Sequence, residues 1–389
     1  MTMERRSLRL ADRGPRERGK IIAFTPKRGE RRRLGFFFLG VLLAAAVLWY
    51  VLSPGLRNTL RRRSVYDPDT VIALESGGAH RSVSFRAGLV VAGQSGMELY
   101  DKDGMLLTMT AAALETPAVR AAGDYALCFD MGGKTLTLYR YQKGVVLDAA
   151  PDGAVLDADL SQDGYVAAVT QGETTKSVLQ IYNQNHVVSY TVYSSTRYLT
   201  LCAVAKGGSY GAAVALGQAD GLFQSTAVVY DTGREEPVAE VPLGNQLIFD
   251  LLFLDAKTLC AIGETETVFF TVSGSVLGRY GYSDLLAYAS APWGAAVLTG
   301  TASGGSLTTV GTKGQILGQI PVGSGAADLQ AAGNYVALLQ GGSLSLYNKK
   351  LTLLGQTQEV YDASQVALWD DGSAFLVGSQ RAYRYLPEG

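Results

Sequence analysis

The chain has 389 residues, enough for one large domain or two ordinary ones, and its 34 Lys and Arg nearly balance its 35 Asp and Glu. The balance conceals an asymmetry, because residues 1–33 hold twelve basic side chains against four acids, whereas residues 64–389 hold 18 against 31. Such an acidic body argues against nucleic acid as a partner, since binding phosphates requires clustered Lys and Arg.

A basic tail and an uncharged segment begin the chain. Residues 34–53, LGFFFLGVLLAAAVLWYVLS, carry no charge, and a helix of that length spans about 30 Å, the thickness of a bilayer's hydrocarbon core. We therefore expect one transmembrane helix over 34–53, acting as an uncleaved signal anchor. A cleaved signal peptide is the alternative, because Ala44, Ala45 and Ala46 resemble a cleavage site.

The charges on either side of this segment predict its orientation. Basic residues are more numerous before it than after it, so residues 1–33 are expected to be a disordered cytoplasmic tail in a single-pass protein of the cell membrane. Residues 54–69 form a predicted linker, and residues 70–389 a predicted extracytoplasmic domain.

An anchor residue, most often Tyr, recurs through that domain. Segments such as GMELY, KTLTLY and SLSLY end at positions 100, 139, 182, 230, 270, 310, 347 and 385, at intervals of 39, 43, 48, 40, 40, 37 and 38 residues. A period near 40 without a helical pattern is typical of a β-propeller.

Each repeat has the same internal order. A tight turn and an apolar run precede the anchor, as in AGDYALCF and AGNYVALL, and a polar link with a second apolar run follows it, as in RYQKG then VVLD. These segments are predicted to be the second, third and fourth strands of a blade. The similar stretches 121–148 and 331–356 would then be the second and seventh blades.

The length of the repeat region favours eight blades of about 40 residues, with seven as the alternative. The last repeat has three strands, and an unassigned strand, TVIALE at 70–75, precedes the first. We expect this N-terminal strand to complete the last blade, which would close the ring without an exposed edge.

Residues for catalysis or metal binding are few. There are two His, His80 and His186, and three Cys, Cys128, Cys202 and Cys260, each in an apolar run typical of a buried position. Asp157, Asp159 and Asp163 alternate as in a calcium loop, but the Gly that such a loop needs is displaced. No metal and no cofactor is therefore predicted.

A ligand surface is most plausible on the loops between blades, where Tyr, Arg and Asp cluster in the sequence. The candidate ligand-binding residues are Tyr193, Arg197, Tyr198, Tyr282, Asp284, Tyr361 and Asp362. Ordinary packing of Tyr at strand ends is the alternative explanation for the aromatic members. A pair of loop acids such as Asp284 and Asp362 also suits glycoside hydrolysis.

A basic tail, one hydrophobic segment and a divergent propeller together resemble a domain-of-unknown-function family of bacterial single-pass membrane proteins. More distantly, the repeats are similar to WD40-like and quinoprotein-like propellers. The Gly-His and Trp-Asp pairs of WD40 blades do not recur, and Trp369-Asp370 falls at a hairpin. The resemblance implies no catalytic residues.

These observations predict an all-β, eight-bladed propeller held at a bacterial cell envelope, where it binds protein or glycan without catalysis. The alternative is an envelope hydrolase of glycosidase type that uses loop carboxylates. Whether the protein is an enzyme is left open by the sequence.

Overall fold

The computed structural model describes residues 68–75, 80–86, 88–219, 221–301, 303–358, 360 and 362–386. The regular elements within these ranges are all β-strands, and none of them contains a helix long and apolar enough to cross a membrane. The predicted tail, the predicted transmembrane segment and nearly all of the predicted linker lie outside them.

The strands form eight antiparallel sheets of four strands, so the prediction of an eight-bladed β-propeller is confirmed. Seven blades use four consecutive strands each. Blade 1 comprises β2 (His80–Phe85), β3 (Gly88–Gly93), β4 (Gly96–Tyr100) and β5 (Leu106–Ala111); blade 2 comprises β6 (Pro117–Ala122), β7 (Tyr125–Asp130), β8 (Leu136–Arg140) and β9 (Gly144–Ala149); blade 3 comprises β10 (Val155–Leu160), β11 (Val166–Gln171), β12 (Ser177–Tyr182) and β13 (Val188–Ser194); blade 4 comprises β14 (Tyr198–Val204), β15 (Tyr210–Ala219), β16 (Leu222–Asp231) and β17 (Pro237–Gly244).

The second half of the ring follows the same order. Blade 5 comprises β18 (Ile248–Phe253), β19 (Thr258–Gly263), β20 (Glu266–Thr271) and β21 (Val276–Gly281); blade 6 comprises β22 (Leu285–Ala291), β23 (Gly294–Thr301), β24 (Gly304–Gly311) and β25 (Ile316–Val322); blade 7 comprises β26 (Ala326–Ala332), β27 (Tyr335–Gln340), β28 (Ser343–Asn348) and β29 (Leu353–Gln358). The similar stretches around 121 and 331 therefore lie in blades 2 and 7, as predicted.

The last blade combines both ends of the domain. It contains β30 (Ala363–Leu368), β31 (Ala374–Gly378) and β32 (Arg381–Tyr385) in its first three positions. The N-terminal strand β1 (Pro68–Ala73) pairs antiparallel with β32 as the fourth. The predicted closure is confirmed, with a strand that begins two residues earlier than expected.

Burial on both faces of each blade explains the sequence of the third strands. In β8, Leu136, Thr137 and Leu138 are all buried, because a blade packs between two neighbours and its hydroxyl-bearing face is covered as fully as its leucine face. Eight apolar clusters fill the eight joints between blades. The cluster that closes the ring includes Ile72 and Phe375.

A turn glycine of one blade and a Tyr at the start of the preceding blade's second strand form a recurring contact. Gly164 has φ +90°, in the left-handed region that favours glycine, and a Cβ there would meet the ring of Tyr125 from the preceding blade. Two further joints repeat the contact, with the pairs Gly208 and Tyr165, and Gly372 and Tyr335. The glycine therefore makes the turn and leaves room for the neighbouring ring.

The propeller has two faces that differ in their loops. We call the face that carries the links between blades, with the turns between second and third strands, the joint face. The face that carries the turns between first and second strands, and between third and fourth strands, is the turn face. The first strand of each blade runs from the joint face to the turn face along the central channel.

The three cysteines are buried and free, which confirms their prediction as small apolar core residues. Cys128, Cys202 and Cys260 are between 0 and 3% exposed. Burial raises the pKa of each thiol, so these side chains pack in the core as neutral groups.

Candidate functional site

The first strands of blades 3 to 8 each contain an irregularity in register where they pair with the second strand. Directly after it, four of them carry a polar side chain at an equivalent position. These side chains are Asp157, Asp250, Asp328 and Gln365.

Three of the four polar side chains join one blade to the next. The Oδ2 atom of Asp157 accepts the backbone N–H of Cys202 at 2.9 Å, and that of Asp328 accepts the N–H of Val366 at 2.7 Å. Gln365 accepts the N–H of Ser82 at 2.9 Å across the closing joint. We refer to these contacts as the inter-blade hydrogen bonds.

Asp250 has a different partner. Its Oδ1 lies 3.6 Å from Nη2 of Arg120, which stands on β6 of blade 2, whereas Asp250 stands on β18 of blade 5. Since blades 3 and 4 separate the two strands along the ring, this ion pair reaches across the central channel. Tyr288, on β22, lies near both charges, and burial together with the charge of Asp250 raises the pKa of its hydroxyl.

Carboxylates outnumber cations around Arg120. Asp157, Asp159 and Asp250 all interact with its guanidinium, and Asp250 contributes most to raising its pKa. Burial raises the pKa of Asp157 to about 7, although Arg120 and the Cys202 N–H act in the opposite direction. This part of the channel therefore places three carboxylates beside one arginine.

A cavity of about 450 Å³ opens on the turn face beside this cluster. Its wall consists of the ends of first strands from blades 2 to 5 and the turns that follow them. Polar groups come from Asp159, Ser161, Gln162, Lys206 and Asp255, and apolar groups from Ala122, Leu160, Val204, Leu252, Phe253, Leu254 and Ala256.

Three of the predicted ligand-binding residues lie on one segment of the joint face, from the end of β13 to the start of β14. Tyr193 is 69% exposed and Tyr198 is 54% exposed, and the ammonium of Lys176 lies 4.9 Å from the centre of the Tyr198 ring. Arg197 pairs with Glu240 through two contacts of 2.5 and 3.0 Å, so its guanidinium is already engaged by the protein.

The remaining candidates are distributed around the joint face. Tyr282 is half-buried and donates to the carbonyl oxygen of Gly263 at 2.8 Å, which fits packing better than ligand contact. Asp284 is exposed with φ +55° in the link between blades 5 and 6. Asp362 is exposed in the link between blades 7 and 8, and Tyr361 lies outside the described residues.

A projecting hairpin adds apolar surface to the joint face of blade 4. The strands β15 and β16 have ten residues each, where most other second and third strands have five or six. Leu222 and Phe223, next to the hairpin turn, are 58% and 46% exposed. We call Tyr193, Tyr198, Leu222 and Phe223 the aromatic patch.

Sequence reasoning missed the aromatic patch's hairpin and the channel ion pair. A signal for the hairpin existed, because the 48-residue interval between Tyr182 and Tyr230 is the longest in the repeat. For Arg120 the only signal is a lone charge within the apolar run PAVRAA. The partner on blade 5 has no sequence signal at all.

The acids that resemble a calcium loop occupy different elements. Asp157 and Asp159 lie on strand β10 and accept backbone N–H groups from blade 4, whereas Asp163 lies in the following turn and bonds Ser161. In the part of the chain that the structure describes, no group of three acidic, His or Cys side chains is arranged for a metal ion.

Residues 61–354 match the family of unknown function DUF5711. The chain belongs to this family. The DUF5711 match runs from before β1 into β29, so β30 to β32 follow it along the chain. The expected resemblance to a family of unknown function is thereby confirmed, whereas bacterial origin and membrane anchoring stay predictions.

Solved structures show the same fold at low sequence identity. The C-terminal WD40 domain of Sif2 is 13% identical, with a TM-score of 0.60 over 84% of this DUF5711 chain and 99% of that domain. Sqt1 from Saccharomyces cerevisiae is 8% identical, with a TM-score of 0.58 over the same shares. No curated protein sequence is similar enough to count as a relative. The similarity to WD40-like propellers is therefore one of fold.

Proposed function

We propose that this protein is a binding module of a bacterial cell envelope, which engages a protein partner through the aromatic patch on its joint face. The single observation that carries the proposal is the exposure of four large apolar side chains on the joint face of blades 3 and 4. Exposed aromatic side chains supply much of the contact energy at protein interfaces. The rigid blades hold them in place before a partner binds.

The polar groups beside the patch suit the edge of an interface. Arg197 and Glu240 pair with each other, and Lys176 lies over the ring of Tyr198. Polar rims around an apolar centre are typical of protein interfaces. Protein binding is also a common use of WD40-like propellers, so the fold is compatible with this role.

The expected anchor places this surface outside the cell. In this proposal residues 34–53 span the membrane with the basic tail in the cytoplasm, because the charge difference across the segment favours that orientation. Protease treatment of intact cells tests it. Digestion of the propeller with protection of the tail is the expected result, and the reverse pattern contradicts the proposed orientation.

A photocrosslinking amino acid in place of Tyr193 or Tyr198 tests the partner site. We expect one defined crosslinked species from the full chain in its native membrane, and none from the same probe at Val276, an exposed apolar residue at the start of β21. The species must also disappear when Leu222→Ser and Phe223→Ser are introduced. Equal crosslinking from Val276, or indifference to these substitutions, contradicts the proposal.

A further inference from the structure

The cavity on the turn face is separate from the aromatic patch, which lies on the joint face. Its volume of about 450 Å³ is within the range of small-molecule sites, which is roughly 300 to 1,000 Å³. A ligand there would contact four blades at once, because residues of blades 2, 3, 4 and 5 form the wall.

One side of the cavity offers a carboxylate. Asp159 uses Oδ2 to accept the N–H of Val204 at 2.9 Å and lines the cavity. Burial raises its pKa, with the Val204 N–H and the Arg120 guanidinium acting in the opposite direction. Arg120 is shared with Asp157 and Asp250, so a second cation beside Asp159 would be stabilised electrostatically.

Another side offers an ammonium group. Lys206 follows β14 and lines the same cavity, and within the described ranges it forms no ion pair and no hydrogen bond through its side chain. Its charge is therefore available to an anion, whereas Asp255 is occupied by the N–H groups of Lys257 and Thr258.

The remaining wall is apolar. Leu252, Phe253 and Leu254 line it in succession, at the end of β18, and Leu160 and Val204 add to it. A cavity with a carboxylate on one side, an ammonium on the other and a hydrocarbon wall between them is complementary to a molecule that carries both charges on an apolar body.

We propose that this cavity binds a small zwitterion with an apolar side chain, an amino acid or short peptide, with its ammonium at Asp159 and its carboxylate at Lys206. The proposal does not depend on the partner of the aromatic patch. A free amino acid and the end of a peptide present the same two groups, and the probes below distinguish these sources.

Calorimetric titration of the full-length protein in detergent with L-phenylalanine and with Phe-Phe tests the proposal. We expect saturable binding of at least one of them. The one that binds more tightly shows whether the cavity prefers a free amino acid or a peptide. N-acetyl-L-phenylalanine, which lacks the ammonium, should bind at least tenfold more weakly, the loss expected for a charge-assisted hydrogen bond. No saturable binding of either zwitterion, or equal binding of the acetylated form, overturns the proposal.

Three variants locate the site. Asp159→Asn keeps an oxygen for the Val204 N–H and should weaken binding at least tenfold, and Lys206→Met should weaken it several-fold. Glu173→Gln, which changes an exposed acid on the joint face, should have no effect. Because Lys206 is exposed, its variant is expected to fold normally. Full affinity in both cavity variants contradicts the assignment.

Discussion

Pro68 lies opposite Tyr385 in the last blade, and this pairing repeats that of Leu106 with Tyr100 in the first. In both blades the register then shifts by one residue, at Asp69 and at Leu107. The N-terminal strand therefore reproduces the geometry of a fourth strand supplied by its own repeat, including its irregularity. The two ends of the domain are joined by this pairing.

Ile72→Ala should destabilise the propeller by about 2 to 5 kcal/mol, the usual cost of removing a buried Ile side chain. Ile72 is 2% exposed and packs in the cluster that closes the ring. Its neighbour Val71 is 55% exposed, so Val71→Ala should change stability by less than about 0.5 kcal/mol. Urea unfolding measures both. An equally small loss of unfolding free energy in both variants would mean that β1 does not hold the ring closed.

Asp328→Ala should cost about 1 to 3 kcal/mol, because it leaves the Val366 N–H without its acceptor. Asp250→Ala removes an equivalent residue that accepts no N–H from the next blade among the described residues. It loses the 3.6 Å ion pair with Arg120, but Asp157 and Asp159 still interact with that guanidinium, so the variant should cost less. Thermal unfolding of the two variants beside wild type makes the comparison, and an equal loss in both would refute the distinct role of the inter-blade hydrogen bonds.

Asp157 should make stability fall as the pH rises from about 4 to about 7. Its pKa is raised in the folded protein to about 7, so folding favours the protonated form and the unfolded chain loses the proton first. Its contribution is complete below pH 4 and is lost as the pH passes the folded pKa.

Asp157→Asn should remove this dependence, because the amide oxygen still accepts the Cys202 N–H without a charge. At pH 8 the variant should unfold at a higher temperature than wild type. Its free energy of unfolding should be larger by up to a few kcal/mol, since each pKa unit is worth about 1.4 kcal/mol. The difference should shrink towards pH 4. Glu173→Gln is the control, and an unchanged pH profile in Asp157→Asn would count against the burial effect.

Arg197 and Glu240 should show a coupling energy of about 0.5 to 1 kcal/mol, as partly exposed ion pairs do. Their side chains are 32% and 45% exposed and their contact is bidentate. Arg197→Glu or Glu240→Arg alone should destabilise the protein, and the double exchange should recover part of the loss. A double-mutant cycle at low and high salt measures this, with additive single effects as the contrary result.

Much of the fold was predictable because every blade repeats the same pattern of turn residues and apolar strands. At three joints the turn glycine of one blade leaves room for a Tyr ring of the preceding blade, as Gly164 does for Tyr125. The site was less predictable. Tyr193, Arg197 and Tyr198 were predicted as ligand-binding residues from their position between repeats, and this stays a prediction. The pairing of Arg197 with Glu240 depends on a strand 43 residues away.

From the amino-acid sequence alone, eight blades were favoured over seven, and the order of strands within each blade and the closure by β1 were predicted. These follow from periodic apolar runs and turn residues, which act over short distances along the chain. The tertiary structure alone brings Arg120 to Asp250 across the channel and forms the mixed-charge cavity on the turn face. Closing the ring brings side chains from different blades together, and no local pattern in the sequence shows which of them will meet.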